Sequence, residues 1–123
     1  MNGSKFLLDT NILLYVAGKR LDIADLPTGE YYISFVTELE ILSYPSLTSK
    51  EETQLRKLLA DTPVIDANRE IKDLAISLRR QYRLKLPDAL IAATARALKA
   101  TLLTNDKEFD AIKEITTLAL KVR

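Results

Sequence analysis

The stretch KFLLDTNIL (5–13) carries a short apolar run up to Asp9, a polar turn of Asp9, Thr10 and Asn11, and then a second apolar run. Polar turns after strands are usually made of Gly, Pro or Ser. Here the turn is a carboxylate, a hydroxyl and an amide, set between two segments patterned for burial. It reads as a strand over 5–9 that passes into a helix over 11–19, with an acid left standing at the strand end.

The rest of the chain alternates in the same way. RLDIADLPTGE (20–30) reads as a loop and YYISF (31–35), rich in aromatic and branched residues, as a strand. VTELEILSYP (36–45) reads as a helix stopped at Pro45, and Ser49 to Glu52 has the spacing of a capping box for the next helix. PVIDA (63–67) is a short strand. Asn68 leads a helix to about Arg83, with Ile71, Leu74, Ala75, Leu78 and Tyr82 on one face. Pro87 suits the first position of the helix PDALIAATARALKA (87–100). TLLT (101–104) is a buried strand, a short helix starts at Asp106, and ITTLAL (115–120) is the last strand. Strands alternating with helices imply an α/β fold: a mostly parallel sheet of about five strands with helices on both faces.

Composition narrows the chemistry. The chain has 123 residues, 47% hydrophobic and 28% charged, which suits one globular domain spanning 1–123. It contains no run of about 18 apolar residues, so no membrane span is expected. MNGSKF has no signal-peptide pattern, and a cytoplasmic location follows. With no His and no Cys, a Ser-His or Cys-His nucleophile is excluded, and the usual zinc and copper ligands are absent. An enzyme built from this chain works with carboxylates, hydroxyls, amines or a hard metal ion. The net charge of +1 creates no global field for nucleic acid, so such binding needs a local patch.

In parallel α/β sheets, ligand sites lie beyond the carboxyl ends of the strands, where strand order reverses. Asp9 and Asp106 follow strands, Asp88 opens a helix, and Glu40 lies in the first turns of the helix after YYISF. Each acid has a plainer role open to it: Asp9, Asp88 and Asp106 as helix caps or dipole partners, Glu40 as a solvated helical residue. Together they are harder to dismiss, because several carboxylates in one crevice repel each other unless a cation sits between them. An all-oxygen donor set calls for Mg²⁺, with Mn²⁺ as the alternative. Asp9 also has the look of a phosphotransfer nucleophile. Phosphatases of the haloacid dehalogenase type need an acid where Asn11 stands, however, and the acid pair and Lys of a receiver domain are not convincing here.

LLDTNILLY (7–15), ISFVTELEILSYP (33–45), LPDALIAATA (86–95) and LLTNDKEFD (102–110) occur in that order. They resemble the four acidic motifs of the PIN domain, and in particular the nuclease toxins of the VapC family. The resemblance runs from Phe6 to about Leu118. It implies a five-stranded parallel sheet and a Mg²⁺-dependent endoribonuclease leaving 5′-phosphate and 3′-hydroxyl ends. Asp9, Asp88 and Asp106 match motif acids. The family pattern places Glu three residues after Thr, selecting Glu40 after Thr37; Glu38, about 200° away around the helix, is its competitor. Asn11, Thr104 and Asn105 are then groups that support the acids or hold water. Asp110 is an extra acid for which a solvated position is expected.

The resemblance further implies an RNA substrate, a homodimer and a protein antitoxin that blocks the crevice. RRQYRLK (79–85) offers Arg79, Arg80, Arg83 and Lys85 for phosphate contact, or simply as cations at a helix C-terminus. LLYVA (13–17) and ILSYPSL (41–47) read as core, with an interface as the alternative. Two competing functions keep the same residues: a housekeeping nuclease acting on RNA or DNA, and a non-enzymatic module binding RNA or protein.

Overall fold

A computed structural model describes residues 4–123. The first three residues of MNGSKF, read above for signal patterning, lie outside them. Five strands form one sheet: β1 (Lys5–Leu8), β2 (Glu30–Ser34), β3 (Val64–Ile65), β4 (Thr101–Leu103) and β5 (Thr116–Leu118). Their order is β3-β2-β1-β4-β5, and every neighbouring pair is parallel. The helices are α1 (Thr10–Ala17), α2 (Phe35–Leu42), α3 (Ser49–Ala60), α4 (Arg69–Tyr82) and α5 (Leu86–Leu98), with 3₁₀ turns at Ile23–Asp25 and Lys107–Ala111. Among the described residues no helix is long and apolar enough to cross a membrane.

Side-chain alternation along the central strand divides the core. Leu7 and Leu102 point toward α4 and α5, where they meet Ala75, Leu78, Ala89 and Ile91. Phe6, Leu8, Ile33 and Leu103 point the other way, toward Ile12 and Leu13 of α1, Ile41 of α2 and Leu55 and Leu59 of α3. Both faces are therefore covered, which explains why β1 and β4 carry apolar runs rather than polar–apolar alternation. The alanines of α5 (Ala89, Ala92, Ala93 and Ala95) are fully buried and let that helix lie close to the sheet.

Several local expectations shift, among them the last strand, expected over 115–120 but spanning only Thr116–Leu118, and the helix expected over 36–45, which ends at Leu42. The capping box is Thr48 with Glu51, not Ser49 with Glu52: Thr48 Oγ1 accepts from the Glu51 amide at 3.1 Å and Glu51 Oε1 from the Thr48 amide at 3.0 Å. Both registers satisfy the same spacing rule, but Thr48 has the extended backbone a cap requires, and Glu52 is free to pair with Arg56 at 2.8 Å. Pro87 is the second residue of α5 rather than the first, and the strand over 63–67 shortens to two residues.

One glycine is held by close approach. A Cβ on Gly29 would stand 2.5 Å from the carbonyl oxygen of Ser4 and 2.6 Å from the Phe6 ring, which stacks on Tyr31 across the β1–β2 pair. Since a backbone carbonyl cannot swing aside, Gly29→Ala overpacks the start of β2. It is expected to lower stability by about 1–3 kcal/mol. Thermal unfolding checks this, and an unchanged melting temperature would contradict the packing described.

Candidate active site

The chain runs outward from β1 through β2 to β3, then returns through α4 and α5 to place β4 on the other side of β1. Strand order thus reverses between β1 and β4, and the crevice opens beyond their carboxyl ends. Backbone pairing continues past the strands there, with the Asp9 amide donating to the Leu103 carbonyl at 3.0 Å. Asp9 and the segment 104–106 are therefore drawn together from opposite ends of the sequence.

Asp9, Glu40, Asp88 and Asp106 line one cleft of about 390 Å³, together with Thr10, Asn11, Ser43, Tyr44 and Ile91. Asp9 is 6% exposed and both its oxygens are engaged. Oδ1 accepts from the Thr10 amide at 2.7 Å and Oδ2 from the Thr104 hydroxyl at 2.7 Å. Asp106 accepts from the Glu108 amide at 2.9 Å, and its own amide donates to Thr104 Oγ1 at 3.0 Å. Asp9 and Asp106 thus cap their helices and also line the cleft, so capping and a site role are not exclusive. Glu40 accepts from the Thr10 hydroxyl at 2.6 Å, and that hydroxyl lies 3.0 Å from the buried hydroxyl of Thr37.

The electrostatics show uncompensated negative charge. Burial raises the Asp9 pKa, opposed by the bonds from Thr104 and Thr10 and reinforced by Asp106 and Glu40. Burial also raises that of Asp88, followed by the charges of Asp106, Asp9, Glu108 and Glu40. Asp9 and Asp88 both feel the neighbouring acids, which is the field a divalent cation neutralises. Among the described residues no three acids stand close enough together to hold a metal ion as they are placed. Like charges in one depression repel, which favours their standing apart while no cation lies between them. The donors are oxygen only, which fits a hard cation such as Mg²⁺ or Mn²⁺.

Other expected residues fall differently. Asn11 lines the cleft and Thr104 supports Asp9 from behind. Asn105 turns away: its amide donates to the Leu120 carbonyl at 2.9 Å and accepts from the Leu120 amide at 2.7 Å, stapling the C-terminal segment. Asp110 is exposed and accepts from Thr117 at 3.1 Å, outside the cleft. Glu38 is half-buried and does not line the cleft, whereas Glu40 does. Thr10 is a participant that the reading of the sequence passed over as part of a turn. Its signal was a hydroxyl directly after Asp9, in a helix whose neighbour supplies Glu40.

Thr104 offers a direct test of the cleft's wiring. Thr104→Val keeps the shape but leaves a buried carboxylate oxygen of Asp9 without its donor. It is expected to cost about 1.5–3 kcal/mol at neutral pH, and less in acid, where Asp9 is protonated. Denaturant unfolding at two pH values measures this; equal losses at both would show that Asp9 is not the partner that matters.

Residues 6–115 match the family model described as PIN domain, and the chain belongs to that family. Within it the chain is VapC-like. It resembles a toxin–antitoxin complex from Klebsiella pneumoniae at 30% identity and TM-score 0.74, covering 90% of this chain and 95% of that one. It also resembles VapBC-1 from nontypeable Haemophilus influenzae at 28% identity and TM-score 0.74, covering 94% and 97%. The fold matches VapBC2 from Rickettsia felis, bound to a DNA fragment from their promoter, with TM-score 0.82 and 24% identity over 95% and 99% of the two chains. No curated protein matches the chain at significance.

Proposed function

We propose that this protein is a Mg²⁺-dependent endoribonuclease that hydrolyses RNA phosphodiester bonds, and the toxin of a type II toxin–antitoxin pair. One observation carries the reading: four carboxylates, from four separate segments of a VapC-like PIN domain, line a single cleft at the point where strand order reverses. A capping role explains Asp9 and Asp106 singly but not why all four acids line the same cleft. On this reading residues 1–123 act as one nuclease domain in the cytoplasm, as a homodimer, held inactive by an antitoxin seated over the cleft.

Asp9, Glu40, Asp88 and Asp106 would hold Mg²⁺, or Mn²⁺. When bound, such a cation supplies Lewis acidity at phosphorus and lowers the pKa of water at its surface. The chain's own residues do the remaining work. Thr104 and the Thr10 amide fix both oxygens of Asp9, so the deepest carboxylate has one orientation. The Thr10 hydroxyl, backed by Thr37, holds Glu40 against the cleft although Glu40 itself is exposed. A carboxylate not taken up in coordination accepts the proton of the attacking water. Asn11, at the cleft rim, orders water or a substrate phosphate oxygen. The absence of any imidazole is no obstacle, because the leaving 3′-oxygen needs charge stabilisation more than a side-chain acid.

The test is incubation of purified protein with a mixed panel of single-stranded RNAs in Mg²⁺, Mn²⁺ or EDTA. The expected result is cleavage that needs the metal and yields 5′-phosphate ends. Cleavage that persists in EDTA would overturn the metal-dependent reading. Toxicity on expression, relieved by a protein encoded next to the gene, distinguishes the toxin from a housekeeping nuclease.

A further inference from the structure

The cations of α4 fall at helical spacing. Arg69, Lys72, Arg79 and Arg80 fall within about 100° of one another around α4, and Arg83, its left-handed C-cap residue, joins them in lining the same groove. That side forms a wall of a groove of about 610 Å³ whose other wall is the start of α5. Arg69 pairs with Asp73 at 3.3 Å, both largely exposed, an arrangement too solvated to neutralise the stripe. The other four have no carboxylate within ion-pair distance among the described residues. Although the net charge of the whole chain is only +1, this one groove collects five of its 18 Lys and Arg residues.

Its position relative to the cleft is informative. Leu86 and Leu90 of α5 face the groove, whereas Asp88 and Ile91 face the cleft. The first turns of α5 are therefore a ridge with the cations on one side and the acids on the other. A helix with its side chains is about 10–12 Å across, and a nucleic-acid strand rises roughly 3.4 Å per nucleotide, so a few nucleotides cross the ridge.

We propose that the α4–α5 groove is a binding track for the phosphate backbone of a single RNA strand, which it delivers over the start of α5 into the acidic cleft. The proposal rests on the ribonuclease reading and answers a problem that reading creates, since a cleft of four carboxylates repels the polyanion it cuts. Placing the cations beyond a ridge keeps them from collapsing onto the acids, so both charge sets persist. The exposed apolar residues Ile76 and Leu86, 53% and 54% exposed, give the splayed bases a surface to rest on while the cations hold the phosphates. Pairing of the groove with a second copy of itself would set these same cations opposite one another, which favours the polyanion as occupant. The stripe begins at Arg69 and Lys72, a part not visible in RRQYRLK alone. Lys85 stands apart from it as the N-cap residue of α5.

The experiment measures fluorescence anisotropy of a labelled 20-nucleotide single-stranded RNA of mixed sequence, from 50 to 200 mM KCl. It uses Asp9→Asn protein so that the probe survives. Adding Arg79→Gln, Arg80→Gln and Arg83→Gln is expected to weaken binding by about 30-fold and to reduce the salt slope by about 2. A control triple, Lys50→Gln, Lys57→Gln and Lys121→Gln, removes the same charge elsewhere and is expected to change affinity less than about threefold. In otherwise wild-type protein, the groove triple is expected to raise KM with kcat little changed. Equal effects of the two triples, no effect of the groove triple, or loss of a dimer by the groove triple in sedimentation velocity would each overturn the track. The two readings fail separately. Groove-dependent binding without metal-dependent cleavage defeats the nuclease, and cleavage indifferent to the groove triple defeats the track.

Discussion

Asp9→Asn is expected to remove metal-dependent RNA cleavage, by at least about 10²–10³-fold and down to the EDTA background. The reason is positional. Asp9 is the most buried of the four acids, stands at the end of the central strand, and is held by donors on both oxygens. No neighbour can move into its place without breaking the β1–β4 junction. The substituted amide keeps the bond from the Thr10 amide and still faces the Thr104 hydroxyl, so the fold has little to lose. The charge it removes is one that burial and two neighbouring acids already disfavour. Metal-free Asp9→Asn is accordingly expected to melt no lower than the parent. Single-turnover cleavage and a thermal melt on the same preparation check both halves. Retained cleavage would remove Asp9 from the site; a clear fall in melting temperature would make its role architectural.

The second large effect is thermodynamic and needs no substrate. Adding Mg²⁺ at neutral pH is expected to stabilise the metal-free protein by about 2.7 kcal/mol when the ion stands at 100 times its dissociation constant. For a chain of this size that is a rise in melting temperature on the order of 10 °C. The pH dependence has a definite sign. Asp9 and Asp88 both have raised pKa values in the folded protein, burial being the largest cause for each. Between the ordinary carboxylate range and those raised values, the folded chain binds more protons than the unfolded one. The contribution of these groups to metal-free stability therefore falls as pH rises through that window and levels off above it. Mg²⁺ competes with those protons, so its stabilising effect is absent in acid and full at neutral pH. Asp88→Asn relieves part of the repulsion, and is expected to raise the metal-free melting temperature while shrinking the Mg²⁺ gain. A Mg²⁺ shift that grows toward acid, or survives both Asp9→Asn and Asp88→Asn, would mean that the ion binds elsewhere.

The convergence of both experiments on one cleft matters because the two kinds of evidence are independent. Cleavage reports on the arrangement with RNA present, whereas the metal-linked melt reports on the carboxylates alone. A protein that kept the Mg²⁺-linked melt but showed no cleavage would keep its ion site and lose the nuclease reading.

Much of this molecule is legible in the order of its residues. The alternation of apolar runs with 3.6-residue patterns establishes the α/β class, because strand and helix periods are local properties of the chain. The four acids stand out for a similar reason, since each follows a strand or opens a helix within a few residues. Helical angle says only that one of Glu38 and Glu40 can face the site; the resemblance to the family motif, not the angle, picks Glu40. The capping register at Thr48 was ambiguous because two overlapping sequences satisfy the same rule, and only the backbone angles chose between them. What the order of residues could not contain is adjacency across the sheet. Asp9 and Thr104 meet over a separation of 95 residues because β4 returns to lie beside β1 rather than beside β3. The same return brings the segment 104–106 to the cleft while twisting Asn105 out toward Leu120. It also sets α5 as the ridge between a basic groove and an acidic cleft. Charge type and period are written residue by residue, but which charges face one another is decided by strand order, and strand order is a property of the packed sheet alone.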